Sequence, residues 1–143
     1  MIRNIVRMSA VPASQDVGLL ALRVVGVSPL LIRHGFEKVF TFSAMAARFP
    51  NPLHIGPVPT LVFAMLSDAI CSSLLILGLA TRWAALVCFI NIFAAWAFVH
   101  HFQFFGKGGD HGELIVLYLA IMLCLLLGGG GRYSVDGLLS NSR

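Results

Sequence analysis

Charged residues are scarce in this chain. Lysine and arginine together number 10 and aspartate and glutamate 6, so charged side chains make up 11% of the 143 residues. A soluble globular domain carries about 25% charged residues, so this composition excludes an ordinary soluble domain. The basic residues are scattered and form no basic stripe, so nucleic acid is not an expected partner.

Cysteine is also sparse, and the spacing of the cysteines excludes several kinds of site. The chain has 3 cysteines, Cys71, Cys88 and Cys124, and it contains neither a CxxC motif nor the CxxCH motif of covalent haem attachment. All three lie in apolar runs, which favours small buried hydrophobic residues. A thiol–disulfide relay requires paired, reachable cysteines, so the sequence does not predict one.

The chain is rich in long apolar segments. Hydrophobic residues make up 58% of it. Four segments, at about 17–42, 60–79, 82–99 and 113–128, are close to the roughly 20 residues that a helix needs to cross a bilayer. We therefore expect one all-α domain over 1–143, an integral membrane four-helix bundle with the lipid membrane as its surroundings.

The connections between the spans indicate how they are arranged. The first loop, 43–59, contains four prolines and is not expected to form a regular helix, so we place it at the mouth of the bundle. Gly78 suits the end of the second span, and Thr81 can cap the start of the third. The very short turn between them predicts an antiparallel hairpin.

The distribution of basic residues predicts the orientation. Four spans put both termini on one side of the membrane. That side collects five arginines, namely Arg3, Arg7, Arg82, Arg132 and Arg143, and the other side collects Lys38, Arg48 and Lys107. The positive-inside rule then predicts that both termini are cytoplasmic.

The first span is the most polar of the four. Steps of three and four predict that one helical face carries Arg23, Gly26, Leu30, Arg33 and Glu37, with His34 and Lys38 in a neighbouring row. Charges at membrane depth are costly and usually face the interior of a bundle. Two interpretations stay open: a structural network of ion pairs, or a site for a polar headgroup such as a quinone carbonyl or an anion.

Acidic residues on other spans are the expected partners of this polar seam. Asp68 lies at the centre of the second span, where it either pairs with Arg23 or Arg33 or is protonated and serves as a proton relay or ligand contact. Glu113 can form a capping pair with Asp110 or can face the site, and the two roles are compatible. The sequence predicts an interior cluster formed by Arg23, Arg33, His34, Lys38, Asp68 and Glu113.

Histidines at the end of the third span are a further candidate feature. His100 and His101 could join His34 or His111 in a metal or haem site. Adjacent residues on a helix point about 100° apart, so at most one of the pair faces the bundle. We therefore predict no metal site and keep His100 as a candidate for ligand binding or proton transfer.

Three sequence motifs resemble those of the DoxX family of small four-helix bacterial inner-membrane proteins. They are RHGFEK, which contains His34, Gly35 and Lys38, the turn LATRWAA, and the tail GRYSVDGLL. The resemblance extends from Leu20 to Leu139. It implies the four-helix fold, the bacterial inner membrane and a redox setting, since the family name comes from subunits of quinone-linked thiosulfate or terminal oxidase systems.

The function that this resemblance implies is a small inner-membrane subunit of a quinone-linked redox system, with other redox proteins as partners. The expected cofactor is a quinone or similar lipophile, bound without a covalent link. The candidate residues for ligand binding or proton transfer are Arg23, Arg33, His34, Lys38, Asp68, His100 and Glu113. The alternatives are an anchoring or assembly subunit without a ligand, and a permeation protein for a small solute. No catalytic residue is assigned, and an oxidoreductase activity of the chain alone stays open.

Overall fold

A computed structural model describes residues 14–104 and 111–141. Several residues used in the sequence predictions lie outside this part of the chain. They are Arg3, Arg7, Lys107, Asp110 and Arg143. The predicted Asp110 cap and the positions of these basic residues therefore lie outside the described residues. The side chains of His111 and Asn141 are likewise outside the description.

The described part of the chain consists of helices joined by turns and short irregular loops, and it contains no strand. Four longer helices form the bundle: α1 (Gln15–Phe40), α3 (Pro57–Leu77), α4 (Thr81–Val99) and α5 (His111–Gly128). Two short helices accompany them, α2 (Phe42–Met45) and α6 (Val135–Asn141). Helices α1, α3 and α4 are long and apolar enough to cross a membrane, and α5 is a shorter apolar helix. The predicted all-α membrane bundle is confirmed.

The first loop is shorter than its proline content suggested. Helix α3 begins at Pro57, three residues before the predicted start, with Pro57 and Pro59 in its first turn. The first-turn amides of a helix have no intrahelical acceptor, so proline is tolerated there. At the other end of the loop, α1 stops at Phe40, because Thr41 leaves the helical conformation with φ −111° and ψ 19°.

The hairpin between α3 and α4 is held by the C-terminal segment. Gly78 ends α3 in the left-handed conformation with φ 75°, as predicted. The predicted Thr81 cap is wrong, because the carboxylate of Asp136 supplies the cap. It accepts hydrogen bonds at 2.8 Å from the amides of Ala80 and Thr81 and from the Thr81 hydroxyl.

One end of the bundle therefore collects the start of α1, the α3–α4 turn and the C-terminal segment. Besides the Asp136 cap, the Arg132 amide donates to Oδ1 of Asp16 at 2.8 Å, and the Asp136 amide donates to the Gly78 carbonyl at 2.9 Å. We call this the tail end. The opposite end carries the connection from α2 to α3, residues 46–56, and we call it the loop end.

An apolar core joins the four bundle helices. Its buried members come from α1, α3, α4 and α5, and they are Val27, Leu30, Leu75, Ala84, Ala85, Cys88, Ile92, Tyr118, Ile121, Met122 and Leu125. Many other large apolar side chains are exposed, as expected of helices that face lipid. The core lies between the polar contacts of the tail end and a polar cluster nearer the loop end.

Two wide turns in α1 decide which of its charges face inward. Leu22–Gly26 and Leu31–Gly35 are π-helical and flank Pro29. A π-helical turn holds more residues than an α-helical turn, so it changes the angular position of everything that follows. As a result, Lys38 is buried while Arg33 and Glu37 are exposed. The predicted face that joined Arg33 and Glu37 to Arg23 is wrong for this reason.

Candidate functional site

A buried ion pair links α1 to α3. The Nζ of Lys38 lies 2.8 Å from Oδ2 of Asp68, and the two side chains are 10% and 7% exposed. Lys38 Nζ also donates to the main-chain carbonyl of His34 at 3.3 Å. Among the described residues this is the one ion pair with atoms within 4 Å. An ion pair removed from water in this way needs further hydrogen bonds to offset the desolvation of both charges.

Asp68 obtains those further hydrogen bonds from α3 and α4. The side-chain amide of Asn91 donates to Oδ1 of Asp68 at 3.0 Å, and the Ser67 hydroxyl donates to the same oxygen at 3.4 Å. Both carboxylate oxygens of Asp68 therefore have donors. The cluster of Lys38, Asp68, Asn91 and Ser67, which we call the polar cluster, ties three helices together near the middle of α3.

A close helix contact brings Lys38 within reach of Asp68. Gly35 of α1 packs directly against the backbone of α3. A Cβ added at Gly35 would lie 3.0 Å from the Cα of Ala69, and closer still to the carbonyl oxygen of Asp68. Small residues permit this kind of approach between membrane helices. Gly35 therefore sets the distance at which Lys38, one turn further along α1, meets Asp68.

An apolar cavity opens above the polar cluster toward the loop end. Its volume is about 660 Å³, which is in the range of small-molecule and cofactor sites. The loop contributes Phe49, Pro50, Pro52, Leu53 and Ile55 to its lining, and helices α3, α4 and α5 supply most of the rest. The predicted position of this loop at the mouth of the bundle agrees with these contacts.

Few polar side chains reach this apolar cavity. Beyond Thr60 near the start of α3, they are His34, Lys38, Asp68, Asn91, His100 and Tyr118. His34 and His100 are half-buried, whereas Tyr118 is 7% exposed. A small number of polar groups in an apolar wall is the arrangement that orients a lipophilic ligand by its headgroup.

Arg23 does not belong to this site, which corrects the predicted Asp68–Arg23 pair. Its guanidinium is fully buried at the tail end, where Nη1 donates to the Ile76 carbonyl at 3.2 Å and Nη2 to the Tyr133 carbonyl at 2.5 Å. Arg23 and Lys38 are fifteen residues apart on one helix, which corresponds to about 22 Å. Arg23 holds the C-terminal segment, and Lys38 takes its place beside Asp68.

Arg33 and Glu113 are also outside the polar cluster. Both side chains are exposed, and neither lines the cavity. The expected Asp68–Arg33 pair is therefore wrong, because the wide turn at Leu31–Gly35 directs Arg33 away from α3. Glu113 follows the segment 105–110 and lies on the outer side of α5, whose inward positions are Ile115 and Tyr118.

The two histidines at the end of α4 point in different directions, as expected of neighbouring residues on a helix. His100 lines the cavity, whereas His101 is exposed and adopts a positive φ of 48°. Within 14–104 and 111–141, no group of three or more histidine, cysteine, aspartate or glutamate side chains is placed to hold a metal ion.

The sequence carries a partial signal for Asn91 and none for Tyr118. An asparagine within an apolar span most simply forms a hydrogen bond between helices, and Asn91 forms one with Asp68. The antiparallel α3–α4 hairpin could have paired the two in advance, since they are nearly equidistant from the Leu79–Ala80 turn. Tyr118 gave no such signal, because a tyrosine in an apolar helix is as readily a core residue.

Comparison with known proteins gives a family and two relatives. The DoxX family model matches residues 18–101. An uncharacterized protein of Haemophilus influenzae is 32% identical over 99 residues, 68% of this chain and 66% of that protein. A second uncharacterized protein of the same organism is 32% identical over 124 residues, 82% of this chain and 87% of the relative. The chain thus spans slightly less than two thirds of the first relative. No solved structure shows significant similarity to the chain.

Proposed function

The chain belongs to the DoxX family, and from that premise we propose that it is a small membrane subunit of a quinone-linked redox system. In this proposal the cavity at the loop end binds a quinone or a similar lipophile. The observation that carries the proposal is the cavity of about 660 Å³, whose apolar wall is interrupted by a few polar side chains at the polar cluster. We propose the bacterial inner membrane as its location.

The charge of the cavity favours a neutral headgroup. The charges of Lys38 and Asp68 cancel each other at 2.8 Å, and the remaining polar side chains that line the cavity are hydroxyl, amide and imidazole groups without a fixed charge. An anion would need an unpaired positive charge, which the polar cluster does not offer. A quinone is neutral, and its carbonyl oxygens accept hydrogen bonds.

Donors for those carbonyls are available on three helices. The amide of Asn91, the hydroxyl of Tyr118 and the imidazole of His34 all border the cavity. His34 and His100 also place two imidazoles at the cavity, and an imidazole can act as the general acid that the reduction of a quinone to a quinol requires. In this proposal Arg23, Arg33 and Glu113 do not contact the ligand.

Tryptophan fluorescence offers a direct test with decylubiquinone as the probe. Trp96 lies near the loop end of α4, whereas Trp83 lies near its start at the tail end. In phospholipid nanodiscs, quinone dissolved in lipid quenches both residues in proportion to its concentration. Quinone in the cavity adds a saturable component that Trp83→Phe protein retains and Trp96→Phe protein lacks.

Variants of the cavity identify the donors. Loss of one hydrogen bond weakens the binding free energy by about 0.5–1.5 kcal/mol. Asn91→Leu and Tyr118→Phe should therefore each raise the Kd for the quinone about 2- to 12-fold. Arg33→Gln is the matched control, since Arg33 is exposed on the same helix as His34. Non-saturable quenching in the wild-type protein would overturn the proposal.

An assembly subunit is the second candidate, and the closed polar cluster favours it. Lys38 and Asp68 form an ion pair, and Asn91 and Ser67 donate hydrogen bonds to the other oxygen of the Asp68 carboxylate. Such a network needs no ligand for its stability. Purification in mild detergent followed by native mass spectrometry separates the two functions. A quinone mass on the wild-type protein supports the first, and a stoichiometric protein partner without quinone supports the second.

A further inference from the structure

Two cysteine thiols face each other across the α3–α4 hairpin. The side chain of Cys71 on α3 lies next to that of Cys88 on α4. Cys88 is fully buried, and its Sγ also donates to the Ser67 carbonyl at 3.4 Å. Cys71 is half-buried. The two cysteines match no CxxC motif, and it is the α3–α4 turn between them that brings them together.

The register of the hairpin fixes this pairing. Asp68 and Asn91 are joined across α3 and α4 by a hydrogen bond of 3.0 Å. Moving three residues along each helix toward the turn leads from Asp68 to Cys71 and from Asn91 to Cys88. Three residues of helix correspond to a rise of about 4.5 Å. The thiol pair therefore lies nearly one helical turn beyond the polar cluster, which separates it from the cavity, and neither cysteine lines the cavity itself.

The surroundings of the pair limit what can react with it. Cys88 belongs to the apolar core, and Cys71 packs against that core. Both lie inside helices apolar enough to cross a membrane, so a water-soluble oxidant is excluded from them. A lipophile that occupies the cavity comes within one helical turn. The expectation of three buried cysteines is wrong for Cys124, which is exposed on α5.

We propose that Cys71 and Cys88 are a redox-active dithiol that a membrane quinone oxidises to an interhelical disulfide. The two S–H bonds break and one S–S bond forms. Two electrons and two protons pass to the quinone, whose two carbonyl oxygens become the hydroxyls of the quinol. The reverse reaction regenerates the dithiol. This inference rests on the proposed function, because the quinone bound in the cavity is the oxidant.

Thiol counting after incubation with decylubiquinone tests the proposal. The protein is held in nanodiscs without oxygen, then denatured and alkylated with N-ethylmaleimide. The chain has 3 cysteines, so the reduced protein carries three adducts and the oxidised protein carries one, on Cys124. Peptide mass spectrometry should recover a Cys71–Cys88 disulfide, and quinol should form in equal amount. Diamide, a membrane-permeant thiol oxidant, serves as the positive control for detection.

Single variants separate this inference from the proposed function. Cys71→Ser and Cys88→Ser should abolish quinol formation and leave the saturable Trp96 quenching intact, whereas Cys124→Ser should change neither. Saturable quenching with three adducts still present would overturn the dithiol proposal and leave quinone binding standing. Absence of both quenching and disulfide would overturn both.

Discussion

The Nζ of Lys38 lies 2.8 Å from Oδ2 of Asp68 inside the bundle, and this contact joins α1 to α3. It sits beneath a cavity of about 660 Å³ that both side chains help to line. The same pair therefore holds two helices together and forms the base of the candidate site. Separating these two roles requires variants that remove the charges without stranding one of them.

Substitution of one partner should be far more damaging than substitution of both. Lys38→Met or Asp68→Leu leaves a buried charge unpaired, which costs about 3–5 kcal/mol. The double variant Lys38→Met/Asp68→Leu removes both charges and should recover most of that loss. The free energy of unfolding in SDS titrations, followed by circular dichroism, measures the difference.

Asp68→Asn serves as the control for the protonation state of Asp68. If the carboxylate is ionised, the near-isosteric amide strands Lys38, and the variant should be destabilised about as much as Asp68→Leu. Equal stability of Asp68→Asn and wild-type protein would show that Asp68 is protonated in the bundle. That result would contradict the ion pair.

The fold was predictable from sequence because its cause is composition. Long apolar segments separated by proline-rich and glycine-rich turns specify membrane helices and their order. The helix boundaries were less predictable. A helix tolerates proline in its first turn but not further along, and Pro57 lies in the first turn of α3. The cap from Asp136 to the α4 start was hidden for another reason, namely that its partners are distant in sequence.

The site was only half predictable, and the reason lies in the geometry of α1. Lys38 and Asp68 were placed correctly in one polar cluster, and His34 and His100 line the cavity above it. Arg33 was misplaced because counting by 3.6 residues per turn fails where Leu31–Gly35 adopts the wider π-helical turn. Sequence spacing alone does not reveal such a turn.

Gly35→Ala should destabilise the bundle by separating α1 from α3. The added Cβ meets the backbone of Asp68 and Ala69, with the Ala69 Cα at 3.0 Å, and backbone cannot move aside as a side chain can. Overpacking of this kind costs about 1–3 kcal/mol. It should also lengthen the Lys38–Asp68 contact and weaken quinone binding.

Gly18→Ala is the matched control for this substitution. Gly18 lies on the same helix, and a Cβ there has nothing within 4 Å. Alanine favours a helix over glycine by about 1 kcal/mol, so this variant should be neutral or slightly stabilised. SDS unfolding of both variants makes the comparison, and equal stabilities would rule out the close contact at Gly35.

Both termini should be cytoplasmic, because five arginines collect on that side of the four predicted spans. Fusions of a phosphatase that is active only outside the cytoplasm and of a fluorescent protein that folds only inside it report the location. At Arg143 the fluorescent fusion should be active, and after Gln103 the phosphatase fusion should be. The same location for both fusion sites would contradict the four-span topology.

The Asp136 cap should make the tail end sensitive to acid. Burial raises the pKa of Asp136, but the hydrogen bonds from Thr81 and Ala80 and the charge of Arg23 lower that pKa by more, so it lies below its ordinary value. A carboxyl group whose pKa is depressed by folding stabilises the protein above its unfolded pKa of about 4. That contribution is lost as the pH falls through the folded pKa.

Comparison of wild-type and Asp136→Asn protein isolates this contribution, because every other carboxyl group titrates in both. At pH 7 the variant should be less stable by about 0.5–2 kcal/mol, the usual effect of losing a helix cap. The difference should shrink as the pH falls below about 4, where the wild-type carboxylate becomes protonated. Hydrogen exchange at the amides of Ala80 and Thr81 follows the cap directly. A stability difference that stays constant between pH 7 and pH 3 would show that the ionised form of Asp136 does not hold the C-terminal segment.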